Sequence, residues 1–418
     1  MPNANSDDRP LRICLLSYRS NPHCGGQGVY VRNLSRALVR LGHKVDVISG
    51  PPLPRVDREV GLTCLRGLDL YNPDDLFRTP SPAELMDPVN LLEWIGVSTM
   101  GFPEPLTFGI RAYRHMRLRL QDYDVIHDNQ SLSYGVWALS RRIPTCATIH
   151  HPITVDRDIA VATAPTILKK IQQRRWYSFI GMQKRVARKL PHIITVSDRT
   201  RRDICREFAV FPSRIGVVPI GIDTDLFRPM PELNRQTHRI IVTNSADMPL
   251  KGLPFLLHAV ARLTPRRPLN LVVIGAPKKN GHITRLIRTL GIGNAVRFTG
   301  RGTDAELVRE YALAAVAVVP SVYEGFGLPA GEAMACGVPV IASSGGALPE
   351  VVGDAGLLVP PKDPDALAHA LATLLDNPAE ARRLGQAGYQ RVWDLFSWEQ
   401  AARQTAAAYR RTIDQYRR

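Results

Sequence analysis

Short, almost unbroken apolar runs recur along the chain, each followed by a stretch of helical periodicity. LRICLLSY at 11–18 is the first; a run so rich in β-formers, without polar alternation, reads as a strand buried on both faces of a parallel sheet. After HCGGQG, the segment VYVRNLSRALVRLG sets Val31, Leu34, Leu38 and Leu41 on one helical stripe, and KVDVIS is the next strand. VIHD, TCATIH, HIITVS and IGVVPI continue this series. A second series opens at RIIVTN (239–244) and runs through LNLVVIG, AVRFTG, AVAVVPS, VPVIAS and AGLLVPP, with helical segments such as GLPFLLHAVARL between most of them. Repetition in this order points to parallel α/β sheets, and 418 residues suffice for two such domains, each with its own core. The expected division is a Rossmann-like domain over 11–205, joined by a last helix over 399–418 that reaches back to it, and a second over 206–398. IGIDTDLFRPMP, between Pro219 and Pro231, has the turn residues of a connection, while the Pro- and Gly-rich stretch 50–107 reads as an insertion of loops and short helices.

Hydrophobic residues make up 44% and charged residues 22%, an ordinary globular balance that excludes disorder. Cys14, Cys24, Cys64, Cys146, Cys205 and Cys336 are scattered, with no C-x-x-C pair, so neither a disulfide framework nor zinc is expected. MPNANSDDRP has no apolar stretch and no run approaches a membrane span of about 18 residues. A cytoplasmic chain is the expectation. The formal charge of +16 attracts phosphates of some kind, whether on nucleic acid, an anionic membrane or a nucleotide-linked substrate. Basic residues lie across both domains and no RNP or zinc-finger pattern appears, so nucleic acid is not expected as a partner.

Open α/β sheets bind ligands outside the carboxyl ends of their strands. The loop Gly25, Gly26, Gly28 sits between the first strand and helix, where glycines let backbone N–H groups approach a diphosphate. It lacks the third glycine of a dinucleotide fingerprint, which disfavours a nicotinamide oxidoreductase. PSVYEGFGLPAGEAMACGVPVIAS (320–343) is more informative: a buried strand should end at Glu324 and a helix begin near Pro329 or Ala330. One carboxylate can then face a polyol, while Glu332, a turn into the helix, takes two vicinal hydroxyls as ribose recognition requires. The N–H groups of Phe326, Gly327 and Leu328 are left for phosphate oxygens. By position, HDNQSLSYG (127–135) and HPITVDRD (151–158) offer Asp128, Asn129, His151, Asp156 and Arg157 as acceptor candidates. D-x-D at Asp223–Asp225 lies in the connection, and Asp363–Asp365 starts a helix, so metal coordination is not expected.

The 320–343 segment, with SSGGALPEVVGDAGLLVPP after it, resembles the donor-site signature of glycosyltransferase family 4, the retaining sugar transferases of the GT-B fold. GGQGVYVRNLSRAL resembles the family's phosphate loop, CATIH its strand bearing an active-site histidine, HIITVS its serine-ended strand, and MPLKG its diphosphate lysine motif. The resemblance implies two Rossmann-like domains facing each other across a cleft. It places His150 beside the transferred sugar, with His151 as the neighbouring alternative, and sets Lys251 and Glu324 with it as the catalytic groups, Lys251 neutralising the donor diphosphate. Gly25, Gly26, Phe326, Gly327, Leu328 and Glu332 complete the donor site. Where the family often carries an arginine, six residues before the lysine, this chain has Ser245, and Arg301 is the candidate replacement cation. The family's Pro-Asn-Gly reads Pro219, Ile220, Gly221. The implied activity is retaining, metal-independent and without a cofactor. It moves a hexose from a UDP- or GDP-sugar to a glycolipid, polysaccharide or small-molecule acceptor.

Residues 165–192 carry Lys169, Lys170, Arg174, Arg175, Lys184, Arg185, Arg188 and Lys189, no acid, and the aromatics Trp176, Tyr177 and Phe179. Such a segment can lie peripherally on the anionic inner face of the cell membrane, or pack its aromatics inward as a solvated helix face. The rival readings are a nucleic-acid or membrane-binding protein that keeps the scaffold without transfer, and a sugar-nucleotide epimerase or phosphorylase.

Overall fold

A computed structural model of the chain describes residues 9–20, 26–72, 75, 78–243, 248–279, 281–300 and 302–417. Two compact units emerge. The first takes the described residues up to Val196, Thr200–Pro219 and the chain from Trp398 on; the second takes Ser197–Arg199 and Ile220–Ser397.

The first unit is built on seven parallel strands: β1 (Arg12–Ser17), β2 (Lys44–Ser49), β3 (Gly61–Cys64), β4 (Val125–Asn129), β5 (Thr145–Ile149), β6 (His192–Thr195) and β7 (Ile215–Val217), in spatial order β3-β2-β1-β4-β5-β6-β7. Every residue of β4, β5 and β6 is buried, the pattern that a continuous apolar run dictates for a sheet covered on both faces. The helix Gly26–Arg40 buries Val31, Leu34 and Leu38, and packs against the last helix, Trp398–Arg417. That last helix turns Ala402, Tyr409 and Ile413 inward, so the chain's final segment belongs to the unit in which it begins.

The second unit repeats the plan with β8 (Gln236–Thr243), β9 (Asn270–Ile274), β10 (Val296–Gly300), β11 (Ala314–Val319), β12 (Val340–Ser343) and β13 (Leu357–Val359), ordered β10-β9-β8-β11-β12-β13 and parallel throughout. Ile240, Val242, Leu271, Val273, Val316 and Val318 pack under the helices Leu253–Leu263 and Pro364–Asp376 through Leu256, Leu257 and Leu371. Burying each such aliphatic side chain contributes roughly 1.5–3 kcal/mol. Both sheets run outward in opposite directions from a central pair, β1 with β4 and β8 with β11. Beyond such a pair the loops splay apart and leave a crevice.

Three sequence expectations shift. The first unit extends to Pro219 instead of 205, because Ile215–Val217 pairs with β6 as the seventh strand. β11 ends at Val319, so Glu324 lies in the turn beyond it; Val322 N–H leaves the ladder direction to donate to Leu250 O at 2.8 Å. The insertion holds short helices, Pro82–Leu85 and Pro88–Ser98, and also β3, a solvent-facing edge strand whose GLTC carries no apolar pattern.

Candidate active site

Each unit gathers chemistry-bearing side chains beyond its central strand pair. In the second unit, Gly252 has φ +68° and an added Cβ would stand 1.9 Å from Pro320 O, so only glycine lets the turn after β8 close onto the turn after β11. That approach sets Lys251 Nζ 2.6 Å from Glu324 Oε1, an oxygen that also accepts from Ser321 Oγ at 2.8 Å. Glu324 is pinned through its backbone as well: its carbonyl accepts from Ala347 N–H at 2.9 Å, and Gly346, at φ +67°, fits against it. Its side chain is 12% exposed and that of Lys251 27%. The pair is sheltered yet open to a ligand.

The helix Leu328–Ala335 starts just after Glu324, its N-cap Gly327 held at φ +107°. No described residue accepts a hydrogen bond from the N–H groups of Phe326, Gly327 or Leu328. Phe326 is buried and packs edge-on against Phe396 at 5.4 Å, which fixes the turn that presents those groups. One turn into the helix, Glu332 Oε2 lies 3.3 Å from the Tyr311 hydroxyl, itself 2.8 Å from Thr243 Oγ1. Burial pushes the Glu332 carboxyl up to about 7, against the opposing hydrogen bond from Tyr311.

In the first unit, His150 follows the last residue of β5. Its Nε2 is 2.8 Å from Asn129 Oδ1, its N–H donates to Gln130 Oε1 at 2.7 Å, and the Tyr30 ring stands edge-on at 4.7 Å. Desolvation, with His151 and His127 nearby, lowers His150 to about 3, which favours the neutral ring at neutral pH. His151 turns elsewhere, its Nε2 2.8 Å from Asp156 Oδ2. Gly26 is the first residue of the helix Gly26–Arg40.

The acceptor candidates separate. His151 and Asp156 form a partly exposed pair, and Arg157 reaches Asp158 Oδ1 at 2.8 Å on the surface. Asp128 is fully buried instead of facing a ligand: Ser131 Oγ donates to one carboxylate oxygen and Leu132 N–H to the other at 2.7 Å, so it holds its own loop. Asn129 likewise turns inward, toward His150 and Ser17. Gln130 and Tyr30 escaped sequence reasoning because an ordinary loop glutamine and a helix tyrosine carry no pattern; the structure places both on His150. Gly25, Ser245 and Arg301 lie outside the described residues. Among the described residues, no group of three His, Cys, Asp or Glu side chains is placed to hold a metal ion.

The basic segment also divides. Trp176 stacks on Phe102 at 5.2 Å, and Tyr177 and Phe179 pack on the core that takes Ile180, Met182 and Val186. The aromatics therefore face inward. The helix Ile167–Trp176 buries none of its residues, and Ile167, Leu168 and Ile171 are 78%, 64% and 56% exposed beside four cations.

Known proteins share this organisation. The family model Glycosyltransferase Family 4 matches residues 24–226, and Glycosyl transferases group 1 matches 229–391. The MMP alpha-(1->4)-mannosyltransferase of Mycolicibacterium hassiacum is 50% identical over 408 residues, covering 96% of this chain and 98% of its own. The D-inositol 3-phosphate glycosyltransferase of Kribbella flavida is 30% identical, covering 96% of each. Among solved structures, sucrose-phosphate synthase from Thermosynechococcus elongatus superposes with a TM-score of 0.74 at 27% identity, over 97% of this chain and 100% of its own. On this agreement of sequence and fold, the chain belongs to glycosyltransferase family 4 and is a glycosyltransferase of the GT-B fold.

Proposed function

We propose that this glycosyltransferase moves mannose from a nucleotide-activated donor to a glycan acceptor, keeping the anomeric configuration and needing no metal ion. The observation that carries the reading is the Lys251–Glu324 pair beside the N–H groups of residues 326–328, in a chain half identical to an alpha-(1->4)-mannosyltransferase. An α-linked nucleotide-mannose that yields an α product retains configuration.

In this account the second unit holds the donor. Glu332, when ionised, accepts the two ribose hydroxyls, the N–H groups of Phe326, Gly327 and Leu328 hold phosphate oxygens, and Lys251 balances the charge that grows on the diphosphate as it leaves. The bond from the anomeric carbon to the phosphate oxygen breaks while a bond to the acceptor oxygen forms on the same face. The acceptor's proton passes to the departing phosphate oxygen. Preorganised charge and positioning supply most of the rate. Neutral His150 touches the transferred sugar, and His151 with Asp156 is the acceptor-side pair. Exposed aliphatic side chains among cations on the helix Ile167–Trp176 support peripheral docking on an anionic lipid surface.

A donor panel of GDP-mannose, UDP-glucose and UDP-N-acetylglucosamine, with a mannoside acceptor in EDTA, tests the reading. Transfer from the mannose donor alone is the expected result. Transfer of another sugar, or transfer only after Mg²⁺ is restored, would overturn the corresponding part.

A further inference from the structure

We propose that Asn129 and Gln130 are the positioning residues of His150: they hold its ring with hydrogen on Nε2, so that Nδ1 is presented as the acceptor for a hydroxyl of the transferred sugar. The inference deepens the functional reading above and rests on His150 meeting that sugar.

Asn129 is the last residue of β4 and is 2% exposed. Its amide orientation follows from both ends: Nδ2 donates to Ser17 Oγ at 3.2 Å, which leaves Oδ1 facing His150 Nε2 at 2.8 Å. An amide oxygen can only accept, so the facing ring nitrogen carries the hydrogen. A neutral imidazole protonated there keeps its lone pair on Nδ1, and no described residue hydrogen-bonds to that atom.

Gln130 fixes the backbone. Sheet pairing ends at Ile149, and beyond it Gln130 Oε1 accepts from His150 N–H at 2.7 Å while Gln130 Nε2 donates to His151 O at 3.0 Å. Gln130 adopts φ +60°, and its carbonyl accepts from Gln183 Nε2 at 3.0 Å. A left-handed conformation at a non-glycine residue is unfavourable and persists where surrounding contacts over-determine it. The Tyr30 ring closes a further side, its hydroxyl 3.2 Å from Thr148 Oγ1, which stands 2.7 Å from His127 Nε2; His127 Nδ1 is 2.6 Å from the Tyr409 hydroxyl. The titratable groups around His150 are thus Tyr30 from the helix Gly26–Arg40, His127 from β4 and His151 from its own loop. Among the described residues, no carboxylate contributes to the electrostatics at His150, which suits a ring that must stay uncharged.

Two measurements test this. Imidazole ¹⁵N shifts of His150 should show the Nε2–H form, neutral from pH 5 to 9; an Nδ1–H or cationic ring would overturn the assignment without reference to turnover. Kinetics at saturating donor then test the role. Asn129→Leu should lower kcat by about 10–100-fold with the donor KM within about threefold, because a small misplacement of a contact group has that scale of effect. Asn129→Asp keeps the size and the acceptor oxygen but draws a proton onto the ring. It should approach wild-type kcat above pH 8 and fall tenfold per unit below its new pKa. Wild-type kcat in Asn129→Leu, or equal losses in Asn129→Asp at every pH, would overturn the proposal. Wild-type kcat in His150→Ala with the expected ¹⁵N shifts would instead locate the failure in the functional reading.

Discussion

Lys251 Nζ lies 2.6 Å from Glu324 Oε1, across 73 residues of sequence. Two turns that follow neighbouring strands, β8 and β11, meet there because Gly252 lets them approach. In the proposed donor site, the carboxylate and an incoming diphosphate compete for one ammonium group. Glu324→Gln should tighten binding of the free nucleoside diphosphate by about 3–10-fold while lowering transfer. Lys251→Met should weaken that binding and cost about 10²–10³ in kcat, the scale of losing one charge-stabilising donor. Calorimetry with GDP and UDP, alongside initial rates, checks both.

On the proposed role of Glu332, nucleotide binding should depend on pH. The Glu332 carboxyl is raised by burial to about 7, and ribose hydroxyls need the ionised form, so nucleotide affinity should hold above pH 8 and fall toward tenfold per unit below about 6. Stability has the opposite sign. A carboxyl whose pKa is higher folded than unfolded binds extra protons in the folded state, so its contribution weakens as pH rises from about 4.5 to 7. Glu332→Gln should remove that cost, raising stability at pH 8 by on the order of 2 kcal/mol while losing nucleotide binding. Thermal melts with and without GDP or UDP, at pH 6 and 8, read both effects.

Gly252→Ala should disturb the donor side through the backbone. An added Cβ would sit 1.9 Å from Pro320 O at φ +68°, so the second unit should lose at least about 2 kcal/mol. The melting temperature should drop by several degrees, and diphosphate binding should weaken with it.

Much of this was legible because it is local. Continuous apolar runs marked the strands, and the 320–343 segment put Glu332 a turn into a helix, whereas Glu324 lies in the turn before that helix and not at the strand end. Pairings between distant segments were not: nothing near Lys251 names Glu324 as its partner, and nothing near Asn129 shows that it faces His150 instead of an acceptor. Asp128 reads as a loop acid in sequence but is buried, since its carboxylate caps its own turn. The aromatics at 176, 177 and 179 share a segment with many cations, yet Phe102, from the insertion, draws Trp176 inward. β3 escaped because an exposed edge strand needs no apolar face.

The helix Ile167–Trp176 should bind anionic vesicles through Ile167, Leu168 and Ile171 together with Lys169, Lys170, Arg174 and Arg175. Sedimentation with phosphatidylglycerol vesicles should show binding that weakens from 50 to 300 mM salt. The triple variant Ile167→Asp, Leu168→Asp, Ile171→Asp should abolish it and leave transfer to a soluble acceptor unchanged.

Retaining mannosyl transfer driven by protein charge and positioning leaves its mark on the stereochemistry of the product. The most direct measurement is the anomeric configuration of the product, by ¹H and ¹³C NMR, after incubation of GDP-mannose and a mannoside acceptor in EDTA. The account predicts an α-linked product formed at a rate that Lys251→Met lowers by at least about 10². A β-linked product, or one formed equally well by that variant, would contradict it.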